Sequence, residues 1–263
     1  MVMGQEPPAG WPGAGSRRRS GPVLFAVLTL LTLALTVAAI DAGDVEQIAL
    51  WGLGTLLFGH LTGMSISFLR TPPPATGPPA AGLTERGERG LAFRYSRAAH
   101  YWLASLLVLL VVFFVMLAGA MARAGTAVGW LIAGVSALAV IFLLWFLVTT
   151  LRLAPGRVVL APSGIYHRSL MFEHFVPWPA VTGVHPRAGR VPRIIVEASA
   201  SPQTRERRYT GPFGAGIEGL PSMVVRTYWL GANARPAYLA LRHYHDHPAE
   251  RPGLGVAGSA ADR

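Results

Sequence analysis

Long apolar runs occupy the first half of this chain, and short alternating runs the second. Residues 22–40 carry no charge, and residues 48–69, 101–121 and 128–150 repeat the pattern. Each run has about 19 to 23 residues, enough to cross roughly 30 Å of hydrocarbon at about 1.5 Å per residue. None shows a charged or strongly polar stripe, which argues against helices that rest one face on a soluble core. The pattern predicts four transmembrane helices, with the lipid bilayer around them. A cleaved signal peptide competes for the first run, since Val37-Ala38-Ala39 could pass for a cleavage site. The run is longer than a usual signal core and a second one follows at once, so it is read as a retained span.

Beyond Leu151 the period shortens. Arg157–Ala161 is a β-branched run, Pro162-Ser163-Gly164 is turn chemistry, and Ile165–Ser169 and Glu173–Trp178 resume the alternation. Runs at 192–198, 207–210 and 223–229 follow, separated by a polar turn and by a Gly/Pro-rich loop at 211–222. This is the strand–turn–strand signature. Asn233 can cap a helix with Pro236 in its first turn, and His247-Pro248 marks its stop. The fold class expected is membrane α-helical with four transmembrane helices, plus a C-terminal all-β bent sheet or barrel capped by one α-helix. The β domain takes 151–252, between a disordered tail at 1–21, the helical domain at 22–150 and a second disordered tail at 253–263. Residues 70–100 are expected to be a loop: a stiff Thr71-Pro72-Pro73-Pro74 spacer, then a polar, mobile Thr84–Arg89 segment.

Charge sets the orientation. All 23 basic residues are arginine, with none contributed by lysine. Arg17, Arg18 and Arg19 precede the first run, and Arg70, Arg86, Arg89, Arg94 and Arg97 lie between the second and third. The other two connections hold only Arg123. The positive-inside asymmetry puts both termini in the cytoplasm of a bacterial cell membrane. With 30 Gly and 21 Pro, the arginine bias points to a high-GC genome, so a pI of 11.1 is weak evidence of nucleic-acid binding and no nucleic-acid partner is expected.

Candidate chemistry is sparse. The chain has no cysteine, hence no disulfide, thiolate metal site or cysteine nucleophile. His243, His245 and His247 lack a fixed third ligand, and no phosphate loop, nucleophile elbow or zinc-helix motif occurs. No catalytic residue, cofactor or metal is expected, and the chain is read as a non-enzyme. His60 is an ionisable group at membrane depth, and such groups are functional candidates by default. The competing reading is a neutral imidazole bonded to a hydroxyl on a neighbouring helix. Gly59 and Gly63, and Ala133 and Ala137, are small-residue pairs for close helix packing.

The segments Leu160–Ser169 (LAPSGIYHRS), Val176–Val181 (VPWPAV) and His247–Arg251 (HPAER) together resemble the bacterial PH-like domains found on small actinobacterial membrane proteins. The resemblance covers about 152–252 and implies a seven-stranded, strongly bent sheet capped by a C-terminal helix. Trp178 is read as core. The segment 161–164 lacks the basic residues of phosphoinositide-binding PH loops, so a diffuse attraction to anionic lipid headgroups is expected instead. Arg187, Arg190, Arg193, Arg205, Arg207 and Arg208 are the candidate contacts. The function expected is an interaction domain held at the inner leaflet for an unknown protein partner or for self-association as a homo-oligomer. The alternative is a membrane sensor or small-molecule passage protein centred on His60.

Overall fold

The apolar runs become helices that outgrow them. The computed structural model describes residues 20–69, 75, 79–187, 192–209 and 222–255. It contains α1 (Ser20–Ala42), α2 (Val45–Leu69), α3 (Arg97–Arg123) and α4 (Ala127–Leu153), of 23, 25, 27 and 27 residues. All four are long and apolar enough to cross a membrane. Large apolar side chains stand exposed along them, Leu30 at 67% and Leu138 at 68%, which water would not tolerate over such an area. The turns within each helix pair use one device twice. Gly43 and Gly125 take left-handed conformations that end α1 and α3. Asp44 Oδ1 then accepts the Gln47 N–H at 3.0 Å, and Thr126 Oγ1 accepts the Gly129 N–H at 2.9 Å, capping α2 and α4.

α1 and α2 pack through small residues. Gly52, Gly54 and Gly59 of α2 face the side chains of Thr36, Thr32 and Thr29 of α1. Thr29 and Thr62, and Thr36 and Thr55, bring their hydroxyls to 3.3 Å. Close backbones and interhelical hydroxyl contacts replace the hydrophobic drive that lipid cannot supply. The expected small pairs divide differently. Gly59 meets α1, whereas a Cβ on Gly63 would run into the Trp102 ring of α3. Ala133 and Ser136 are buried, but Ala137 is exposed.

Residues 79–97 and 153–255 form a second unit, separate from the helical one. It contains β1 (Ala80–Leu83), β2 (Arg89–Arg94), β3 (Arg157–Ala161), β4 (Gly164–Arg168), β5 (Phe172–Pro177), β6 (Val181–Arg187), β7 (Arg193–Ala198), β8 (Arg205–Arg208) and β9 (Met223–Arg226). A short helix α5 (Thr227–Leu230) and a longer α6 (Ala234–Asp246) follow. One sheet has six strands in the order β1-β2-β3-β4-β5-β8, the other three in the order β6-β7-β9, and every pairing is antiparallel.

The expected loop at 70–100 is corrected here. Within it, β1 and β2 form a hairpin, closed by Thr84 and Gly87, that joins the larger sheet through β3. Leu91, Ala92 and Phe93 are buried by that pairing. Gly90 makes it possible, since a Cβ there would land on the Leu160 carbonyl. A further strand, β6, covers Val181 and Val184. A bulge between Val181 and Gly183 lets residues three apart share the buried face.

The core lies between the sheets and α6, which packs on both β6 and β2. Leu91, Leu160, Ile165 and Val176 fall in one cross-strand row of the larger sheet. Val184, Val196, Ile194 and Val225 line the inner face of the smaller. Ala237, Tyr238 and Leu241 are the buried stripe of α6. Trp178 is core, 3% exposed, with its indole N–H donating to the Ala161 carbonyl at 2.8 Å. Arg251 lies over that ring at 4.7 Å and donates to the carbonyls of Tyr244 and His245, closing the end of α6. Asn233 sits at the start of α6 without capping it; its amide donates to the Arg94 carbonyl at 2.8 Å instead.

Candidate functional site

Strand register gathers charges that the sequence scatters. Residues directly opposite in an antiparallel sheet share a face about 5 Å apart. Arg94 pairs with Arg157, Arg157 with Arg168, Arg168 with Glu173 and Glu173 with Arg207. The result is a row of four arginines and one glutamate across β2, β3, β4, β5 and β8. Ala92, Val159, Tyr166, Phe175 and Arg205 form the next row on the same face. On the smaller sheet, Arg187 lies opposite Arg193 and Arg193 opposite Arg226. Like charges placed directly opposite disfavour pairing, so both rows need something to offset them.

Glu173 offsets part of the first row. It is buried, and its Oε1 lies 3.6 Å from the Arg168 Nε. Tyr166 and Tyr209 both donate to it; burial first, then the carboxylate, pushes both phenols above their usual range. Arg207 lies over the Tyr209 ring at 5.2 Å and Arg205 over Phe175 at 5.4 Å. Arg157 keeps a buried Nε without a hydrogen-bond partner.

Of the sequence candidates, the structure brings Arg187 and Arg193 together and puts Arg205 and Arg207 on one face. Arg208 is on the opposite face, paired with Glu206. Arg190 lies outside the described residues. Sequence reasoning missed Arg94, Arg157, Arg168 and Arg226 as members of rows. Their strand positions were partly readable, but the register that aligns them was not.

The opposite face carries a second polar row: Phe93, Val158, His167, His174 and Glu206. His167 is 1% exposed and its Nε2 lies 2.6 Å from the Tyr95 hydroxyl. Tyr95 in turn stacks on Trp229. Burial, helped by the neighbouring His174, pushes His167 down to about 3. His174 is also pushed below its usual value, mainly by burial; Glu206 opposes the shift and Arg208 adds to it. His167 Nδ1 and His174 Nε2 are buried without hydrogen-bond partners. Among the described residues no three metal-binding side chains converge here or elsewhere. His243 instead pairs with Glu250 at 2.8 Å and stacks on His247.

In the helical unit, His60 Nε2 lies 2.9 Å from the backbone carbonyl of Trp102, and the ring packs against Trp102 and Tyr101. The partner is a main-chain carbonyl rather than the hydroxyl expected. This contact ties α2 to α3. A recess of about 190 Å³ at the start of β1, lined by Pro79, Ala80, Phe93, Arg94, Asn233 and Pro236, is smaller than a usual small-molecule pocket. No protein-family model matches the chain, and no curated protein or solved structure matches it either.

Proposed function

We propose that this is a non-enzymatic, multi-pass membrane protein whose β unit is a PH-like interaction domain held at the inner leaflet, where it docks an unidentified protein or a second copy of the chain. The observation that carries this reading is the edge at β1, which among the described residues pairs on one side only, with β2. Edge strands invite pairing with another chain unless they are defended. β8 is defended by Arg205, Arg207 and Arg208, and β6 by Pro186 and its bulge. β1, of sequence Ala80-Ala81-Gly82-Leu83, carries no charge, and Leu83 is 47% exposed. Strand addition along it would extend the six-stranded sheet.

The way the β unit is stitched supports the location. Its strands come from two segments that flank α3 and α4. Two crossings return a chain to the side it left, so both segments belong on one side. The excess of arginine in 70–97 over the short connections supports the cytoplasmic side. Two antiparallel sheets closed by a C-terminal helix suit a PH-like reading.

The chain has no cysteine, so Leu83→Cys supplies a unique crosslinking handle. In native membranes it should give a discrete adduct, to itself or to one partner. Thr182→Cys, exposed on the defended β6 edge, should give none. Equal yields from the two positions, or no adduct from Leu83→Cys, would refute docking at β1.

A further inference from the structure

We infer that the row Arg94–Arg157–Arg168–Glu173–Arg207 rests on the anionic headgroups of the leaflet that α3 and α4 meet at their sheet-side ends. This depends on the helices spanning a bilayer and not on the docking of a protein at β1, so the two can fail separately.

The covalent chain limits how far two members of the row can lie from the helix ends. Arg94 lies three residues before the first residue of α3, and Arg157 four after the last of α4. A chain extends at most about 3.5 Å per residue, so these two Cα atoms lie within about 10 Å and 14 Å of helix ends. The polar layer outside the hydrocarbon is itself about 5 to 8 Å deep on each side. Both arginines are therefore within side-chain reach of headgroups. The smaller sheet adds to the same region. Thr227, next to Arg226, donates to the Pro192 carbonyl, and the Trp229 carbonyl accepts the Ser96 N–H one residue before α3.

The row is also short of negative charge. Arg94 and Arg157 face each other as like charges, as do Arg157 and Arg168, and Glu173 is the row's single acid. A phosphodiester layer supplies acceptors to guanidinium groups and relieves the repulsion together. Among the described residues, the opposite end of β2 lacks this arrangement: Arg89 faces Leu83 and Gly90 faces Gly82.

The test uses the full chain in nanodiscs of phosphatidylcholine with increasing phosphatidylglycerol, read by hydrogen exchange of β2 and β3 amides. Protection in the wild type should rise with the anionic fraction. An arginine at such a surface is worth about a fivefold change in affinity, so Arg94→Gln with Arg157→Gln should weaken the response on the order of thirtyfold. Arg86→Gln with Arg89→Gln removes the same charge from the far end of the hairpin and should leave it unchanged. Equal shifts in the two variants would overturn the assignment. So would a wild type indifferent to phosphatidylglycerol, as expected if an acidic protein is the true partner. Protection by inorganic phosphate in purely zwitterionic discs would point to a soluble anion and overturn it too. Should the first variant fail to insert, the wild type decides: its protection should fade between about 50 and 500 mM salt, and salt-independence would count against headgroup contact.

Discussion

Lowering the pH should loosen the larger sheet, and the two buried histidines set the size of the effect. His167 is neutral in the fold because burial pushes it down to about 3. In the unfolded chain its ordinary value is near 6.5, so below that pH the unfolded state binds a proton that the folded state refuses. Stability from this group is complete above about pH 6.5 and declines as the pH falls towards 3. Between pH 7.5 and 5.0 the linkage amounts to about 2 kcal/mol for His167 alone. His174 is shifted in the same direction and steepens the slope. Hydrogen exchange of the β4 and β5 amides, corrected for the intrinsic pH dependence, measures the opening free energy directly. A loss of about 2 kcal/mol corresponds to roughly thirtyfold faster exchange. Tyr95→Phe with His167→Leu removes the imidazole and the hydroxyl facing it, which costs less than orphaning either one. That variant should keep only the slope due to His174. Unchanged protection between pH 7.5 and 5.0, or a slope unaffected by the double change, would refute burial as the cause.

Further expectations concern single contacts. Trp178→Phe loses the bond to the Ala161 carbonyl and the ring face beneath Arg251, so the melting midpoint of the β unit should fall by an amount equivalent to about 1 to 3 kcal/mol; an unaltered midpoint would show that the indole N–H contributes nothing. Gly90→Ala forces a Cβ onto the Leu160 carbonyl and should separate β2 from β3 at a cost of about 1 to 3 kcal/mol, seen as rapid proteolysis within 84–94 while the four helices stay inserted. His60→Gln keeps a donor for the Trp102 carbonyl and should cost less than about 1 kcal/mol, with full complementation of a deletion strain. Failed complementation at normal protein level would give His60 a role beyond tying α2 to α3.

The helices were legible because their cause is local. Run length and uniform apolarity decide a span, and Gly43 and Gly125 sit where the runs break. Strands β3, β4 and β5 were legible for the same reason, with Gly164 at the turn between the first two. The hairpin at 80–94 was not. Its apolar content is short and set in a Pro/Gly-rich stretch, and the strand that buries it begins more than sixty positions later, beyond two helices. Local pattern gives no weight to such a partner. The bulge that puts Val181 and Val184 on one face hid β6 similarly. The arginine candidates suffered most, because neighbours in sequence such as Arg207 and Arg208 point to opposite faces. Arg94 and Arg157 touch rows only once the pairing is known.

The central claim is that the segments on either side of α3 and α4 build one β unit on the cytoplasmic side. Single cysteines in the cysteine-free chain test it most directly, at the exposed positions Asp41, Ala124, Glu85 and Gln203. An impermeant maleimide on intact cells should label Asp41→Cys and Ala124→Cys, and should reach Glu85→Cys and Gln203→Cys only after permeabilisation. Labelling of Glu85→Cys and Gln203→Cys from opposite sides, or of both from outside, would contradict it.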